Sequence, residues 1–173
     1  MEGRSPSEGA LLPGIRDVVR QATGRVVATC FGSNIARLQT LARVAADEGR
    51  YLSLFGRSLI NNYRAAVAAG YWDPALTFIE PTHAGYLPPD EVMVIATGSQ
   101  GDARAALTRL ATGTHPHMEL TAGGTVMFSS REIPGNELAI ERLRMALSAR
   151  EVHVVEQEQG GPLIHTSGHP ARD

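Results

Sequence analysis

A chain of 173 residues, 43% hydrophobic and 20% charged, has the size and make-up of one globular α/β domain and not of a disordered chain. No apolar run approaches the roughly 20 residues that span a bilayer, no basic and apolar leader opens the chain, and the lone Cys30 excludes an internal disulfide and cysteine-rich zinc sites. The formal net charge of -2 gives no global basic field, yet all 16 basic residues are arginine; coding bias is the ordinary reason, and a bidentate fork for phosphate is the functional one. The expectation is a soluble cytoplasmic domain with no membrane partner.

Residues 1–14, rich in Gly, Pro and Ser, read as a lead-in, and a short helix runs from Pro13 to Ala22, ended by Gly24. The apolar run from Arg25 to Phe31 is a strand. Ser33 is a good N-cap for the helix whose apolar stripe is Ile35, Leu38, Leu41, Ala42 and Ala45, up to Gly49. Tyr51–Phe55 is a strand, Gly56-Arg57-Ser58 a turn, and Leu59 to Ala69 a helix ended by Gly70. Leu76 to Ile79 is expected as a short strand, and Pro81 with Pro88-Pro89 breaks the next stretch into loop. Val92–Ala96 is a buried strand, with a helix from about Ala103 to Ala111. Thr125–Phe128 is a strand, Glu137–Ala149 a helix, and Val152 to Val155 a last strand. The chain thus divides into a lead-in and short helix over 1–24, an α/β domain over 25–155, and a polar tail over 156–173.

Short apolar strands alternating with amphipathic helices predict an α/β fold, a doubly wound, mostly parallel sheet flanked by helices. Ligands of such sheets sit beyond the carboxyl ends of the strands. That edge receives Gly32-Ser33-Asn34, Gly56-Arg57-Ser58, Gly98-Ser99-Gln100-Gly101 and Ser129-Ser130-Arg131. Glycine lets a backbone approach a ligand, and free amides at helix starts favour an anion. Ser33, Asn34, Ser58, Ser99, Gln100, Ser129 and Ser130 add hydrogen-bonding groups, and Arg57 and Arg131 add charge. Each turn by itself is ordinary helix capping; four together point to a phosphate or nucleotide ligand. A dinucleotide-binding domain lacks its G-x-G-x-x-G, and a P-loop is impossible without lysine.

His165 and His169 are four apart, but Gly168 and Pro170 argue against a helix there, and no third ligand completes a metal site. His169 follows a Ser-Gly pair whose backbone can wrap an oxyanion, so it can serve as a general acid or a phosphate ligand. No G-x-S-x-G elbow is present, and Cys30 sits in an apolar strand as a core residue.

Several runs are more specific. Gly3-Arg4-Ser5-Pro6-Ser7-Glu8, Thr29-Cys30-Phe31-Gly32-Ser33-Asn34 with Arg37, Phe55-Gly56-Arg57-Ser58, Thr97-Gly98-Ser99-Gln100-Gly101, Phe128-Ser129-Ser130-Arg131-Glu132-Ile133-Pro134-Gly135-Asn136-Glu137 and His165-Thr166-Ser167-Gly168-His169-Pro170 follow one another along the chain. In these runs, and in their order, the chain resembles the β-CASP domain of bacterial ribonuclease J, of the metallo-β-lactamase superfamily of nucleases. The resemblance implies a cytoplasmic enzyme of RNA decay and maturation. It implies 5′-to-3′ exonuclease and endonuclease action on single-stranded RNA at a zinc centre, with a β-CASP domain inserted in the metallo-β-lactamase domain to clamp the RNA. By motif, His169 resembles the motif B histidine that faces the scissile phosphate. His165, Ser167 and Gly168 resemble part of the pocket for a nucleotide phosphate, including a 5′-monophosphate end. Gly32-Ser33-Asn34 and Ser129-Ser130-Arg131 resemble parts of the RNA-facing edge.

The departures are as informative. The His-x-His-x-Asp-His metal motif, the acidic motif A and the motif C histidine are absent from the sequence, and Gly32 stands where the family more often has alanine. The expectation is therefore an RNA-binding clamp, with a homo-oligomer among its expected partners, whose zinc ligands are not in this chain and which is inactive alone. The competing reading from another class is a stand-alone, non-catalytic RNA- or nucleotide-binding module.

Overall fold

Five short apolar runs set the architecture in the computed structural model, which describes residues 8–157 and 163–165. They form β1 (Val26–Thr29), β2 (Tyr51–Phe55), β3 (Val92–Ala96), β4 (Thr125–Phe128) and β5 (His153–Val155). Every pairing is parallel, in the order β2-β3-β1-β4-β5. The helices are α1 (Leu12–Gln21), α2 (Ile35–Asp47), α3 (Arg57–Ala68), the single turn α4 (Pro81–Ala84), α5 (Ala106–Thr112) and α6 (Glu137–Ala149). This is the doubly wound α/β arrangement expected from the alternation of runs.

Strand side chains alternate between two apolar layers. Val26, Ala28, Met93, Ile95 and Met127 pack with α1 and α2, through residues such as Ile15, Leu38 and Leu41. Val27, Val92, Val94, Val126 and Phe128 pack on the other face with α5 and α6, through Leu107, Leu110, Leu143 and Leu147. Burial on both faces explains why β1, β3 and β4 read as unbroken apolar runs; each fully buried Val, Leu or Ile stabilises by about 1.5–3 kcal/mol. Ile164 joins the α1 layer and is fully buried.

Several boundaries differ from the sequence reading. Leu76–Ile79 forms no strand, because its one backbone bond to β2 is the Ile79 amide donating to the Leu52 carbonyl at 2.8 Å, two residues before Pro81, while the Ile79 carbonyl accepts from the Ser53 hydroxyl at 3.0 Å instead of a ladder amide. The third long helix starts at Arg57, directly after Gly56, so Arg57 lies in its first turn. The helix expected from Ala103 starts at Ala106, because Asp102 folds the preceding residues into a turn. Its side chain accepts from the Arg104 amide at 2.8 Å and its carbonyl from the Ala105 amide at 3.1 Å. Asn34, one residue later than expected, caps α2 by accepting from the Arg37 amide at 3.0 Å.

Some of the arginine is architectural. Arg50 donates to the carbonyls of Ala22, Gly24, Pro89 and Val92 at 2.9–3.2 Å, and its burial pushes its pKa down. Arg150 donates to the carbonyls of Ala111 and Leu120. A forked guanidinium can satisfy several acceptors at once; an ammonium of that length cannot match the geometry.

The crossovers position the site. α2 carries the chain from β1 over one face to β2, whereas α5 carries it from β3 over the other face to β4. Because β1 and β3 are neighbours, their outgoing loops part and leave a crevice between the strand ends.

Candidate nucleic-acid interface

The crevice, about 380 Å³, is lined by Cys30, Gly32, Arg57, Gly98, Ser99 and Arg104 among others. Its β1 wall is fixed by Thr29, whose hydroxyl donates to the Ala96 carbonyl at 2.8 Å, and by Asn62, whose amide donates to the Gly32 carbonyl at 2.7 Å. Its β2 wall needs Gly56. With φ at +133° and Thr97 where a Cβ would stand, no other residue makes this turn without strain. The turn delivers Arg57 to the crevice with its side chain exposed. Cys30 is 2% exposed, and burial pushes its thiol pKa up to about 12, which keeps it protonated and inert. Ser33 is exposed and Asn34 half-buried, both just beyond the crevice, with the Asn34 carbonyl oxygen engaged in the cap.

A second recess of about 200 Å³ lies at the β4 end and shares Ser99 with the crevice. Ser130, Arg131, Arg144, Glu156 and His165 line it. Gln100 ties the β3 and β4 loops together. Its side-chain nitrogen donates to Ser99 Oγ at 3.1 Å and to the Arg131 carbonyl at 2.9 Å. Its oxygen accepts from the Ile133 amide at 2.8 Å and from the Asn136 side chain at 3.2 Å. Arg144 is held by Glu132, Glu141 and Glu156 at 2.7–3.2 Å, which raise its pKa and cancel its charge. Arg131 is exposed and has no ion pair among the described residues. The Ser130 hydroxyl is buried with no hydrogen-bond partner among them.

Ser129 departs from its expected place on the RNA-facing edge. It is fully buried, and its hydroxyl donates to the Ile164 carbonyl while accepting from Arg37 at 3.0 Å. Arg37, 1% exposed, also donates to the Ser129 carbonyl and pairs with Glu8 at 3.0 Å. Ser129 therefore positions the tail and not a ligand. Gln157 holds the tail as well, its side-chain oxygen accepting from the Ile164 amide at 2.7 Å. His165 lines the recess as a result; Ser167, Gly168 and His169 lie outside the described residues.

The structure thus brings Arg57 to the crevice, and Ser130, Arg131 and His165 to the adjoining recess. Arg104, which the sequence reading did not single out, enters through the Asp102 turn; the Asp-x-Arg run was the available signal. Among the described residues no three His, Cys, Asp or Glu side chains lie together as a metal site. No helix among them is long and apolar enough to cross a membrane.

Residues 23–147 match the family model described as ribonuclease J, beta-CASP domain. A ribonuclease J of Sinorhizobium meliloti is 38% identical over 171 residues, 99% of this chain and 30% of that protein. One from Mycobacterium tuberculosis is 39% identical over 168 residues, 96% of this chain and 30% of its own length. One from Helicobacter pylori is 34% identical over 172 residues, 99% of this chain and 25% of its own. The chain spans less than a third of the length of these relatives.

Proposed function

Because the chain belongs to the ribonuclease J β-CASP domain family, we propose that it is the RNA-clamping part of a ribonuclease J-like nuclease acting on single-stranded RNA in decay and maturation. The observation that carries this is the placement of Arg57 and Arg131, both exposed and without ion pairs among the described residues, beside the glycine and serine turns of the crevice and its adjoining recess. Arginine forks suit phosphodiester oxygens, and glycine turns admit a backbone close by.

In the complete enzyme the reading is a zinc-dependent 5′-to-3′ exonuclease and endonuclease of the cytoplasm. Zinc bound there polarises a phosphodiester and acidifies water. The partners are a metallo-β-lactamase domain of the same protein, RNA with a 5′-monophosphate end, and further copies in a homo-oligomer. His169 is assigned to catalysis at the scissile phosphate, and His165, Ser167 and Gly168 to a nucleotide phosphate. Ser33, Asn34 and Ser130 line the RNA path with the two arginines.

Fluorescence anisotropy tests the clamp. The chain binds 5′-monophosphorylated single-stranded RNA more tightly than the 5′-hydroxyl form, binding falls with salt, and Arg57→Ala with Arg131→Ala weakens it. Binding of NAD with none of RNA overturns the reading. Incubated with RNA and zinc or manganese, the chain alone leaves RNA intact. Degradation that survives repurification and disappears in His169→Ala would place a metal site within the chain after all. In the complete enzyme His169→Ala lowers turnover far more than RNA affinity.

A further inference from the structure

A groove of about 860 Å³ runs outward from the crevice past the ends of β2 and β3. That is near the upper end of the roughly 300–1,000 Å³ of small-molecule sites. Arg57, Thr97 and Arg104 line both cavities, so the two adjoin. Arg64 and Arg109 add two more guanidinium groups, and among the described residues no Asp or Glu lines the groove. None of these four arginines has an ion pair among the described residues. The contrast is with the β4 recess, where carboxylates surround Arg144.

The wall of the groove is aromatic. His115 stacks flat on Phe55, with ring centroids 4.6 Å apart and planes 7° from parallel, and meets His117 edge-on at 5.7 Å. Burial, Arg109 and His117 together push the His115 pKa down to about 4, so the ring is neutral at pH 7 and offers a π surface. Unpaired cations alternating with a flat neutral ring match a chain of phosphates and bases whose bases are unstacked. A folded double strand cannot present a base to that ring.

We propose that this groove holds a second stretch of single-stranded RNA, running on from the crevice, with its phosphates on Arg57, Arg64, Arg104 and Arg109 and a base on His115. The proposal rests on the RNA-clamp reading above and extends it to residues outside the motifs.

The test compares two 5′-monophosphorylated oligouridylates by anisotropy, a trinucleotide and one of about 12 nucleotides, within the usual range of single-strand site sizes. The Arg64→Ala/Arg109→Ala chain binds the longer probe about tenfold more weakly and lowers its log–log salt slope by about 1.4, the loss of two phosphate contacts. Its affinity for the trinucleotide and its thermal midpoint stay unchanged, since both side chains are exposed. Arg64→Lys/Arg109→Lys keeps most of the binding. His115→Ala weakens the long probe and His115→Phe retains it. An unchanged affinity of the double alanine variant for the long probe, or an equal loss for both probes, overturns the groove assignment alone. Failure of the parent chain to bind either probe overturns the clamp reading as well. Polyglutamate that competes as well as oligouridylate of equal charge overturns RNA as the occupant and points to an acidic protein segment.

Discussion

At the scale of single residues, Arg37 shows how far a side chain's task can lie from its local sequence. It belongs to α2, yet its guanidinium joins the lead-in through Glu8 and the end of β4 through Ser129. Arg37→Met leaves Glu8 and the Ser129 carbonyl without this partner. Breaking a fully buried pair costs about 3–5 kcal/mol; the Glu8 side chain is 31% exposed, so the loss falls below that, and urea unfolding reads it as a lower midpoint with an unchanged slope. The sequence placed Ser129 on the ligand edge because a serine at a strand end usually caps or binds; only the return of Ile164 reveals that its hydroxyl is already engaged.

His115 gives a residue-scale prediction with a sign. Its folded pKa, about 4, lies below its ordinary value of 6.5. Above pH 6.5 both states are neutral and the histidine leaves stability independent of pH. As pH falls from 6.5 toward 4 the unfolded chain takes the proton first, so stability is lost over that window, and the loss is complete below it. Thermal midpoints therefore fall between pH 7 and pH 4, and His115→Phe, which keeps the stack on Phe55, flattens that part of the curve.

At the scale of elements, strands and turns were legible because their causes are local. Apolar runs of four or five residues, glycine at sharp turns and two-faced helix stripes need no distant partner to be recognised. What escaped depends on contacts across the chain or on side chains acting on their own backbone. Asp102 delays α5 by folding a turn, and the 76–79 segment gains one ladder bond to Leu52 instead of a strand. Gln100 is the clearest case. It stood in the sequence as one polar residue of a glycine turn, but in the fold it joins two loops by four hydrogen bonds. Gln100→Ala frees the β4–α6 loop. At roughly 0.5–1.5 kcal/mol per bond, the four bonds together bound the loss at about 2–6 kcal/mol. Hydrogen exchange at the Ile133 amide accelerates, and the contribution to RNA binding proposed for Arg131 shrinks.

At the scale of the molecule, both ends of the described chain meet in one place. Gly14 in α1 lies against the backbone of Leu163 so closely that a Cβ would collide with it. Ile164 fills the layer beside Leu11 and Ile15. Gly14→Ala therefore pushes the tail off α1, lowers the thermal midpoint and, in the complete enzyme, reduces the preference for a 5′-monophosphate assigned to the tail. Ile164→Ala costs about 2–5 kcal/mol for its lost burial. The α/β class was legible from alternating runs, but the strand order was not, because parallel pairing is decided by packing between segments far apart in sequence.

That order also governs how the chain comes to be folded. β1 lies at the centre of the sheet, yet it has no neighbour until Met93 and then Thr125 reach Val26. Among the described residues no hairpin pairs strands early, and every ladder waits for a long loop to close. During synthesis the first apolar strand therefore emerges well before either of its neighbours, exposed to aggregation and to chaperones, and the sheet assembles late and slowly.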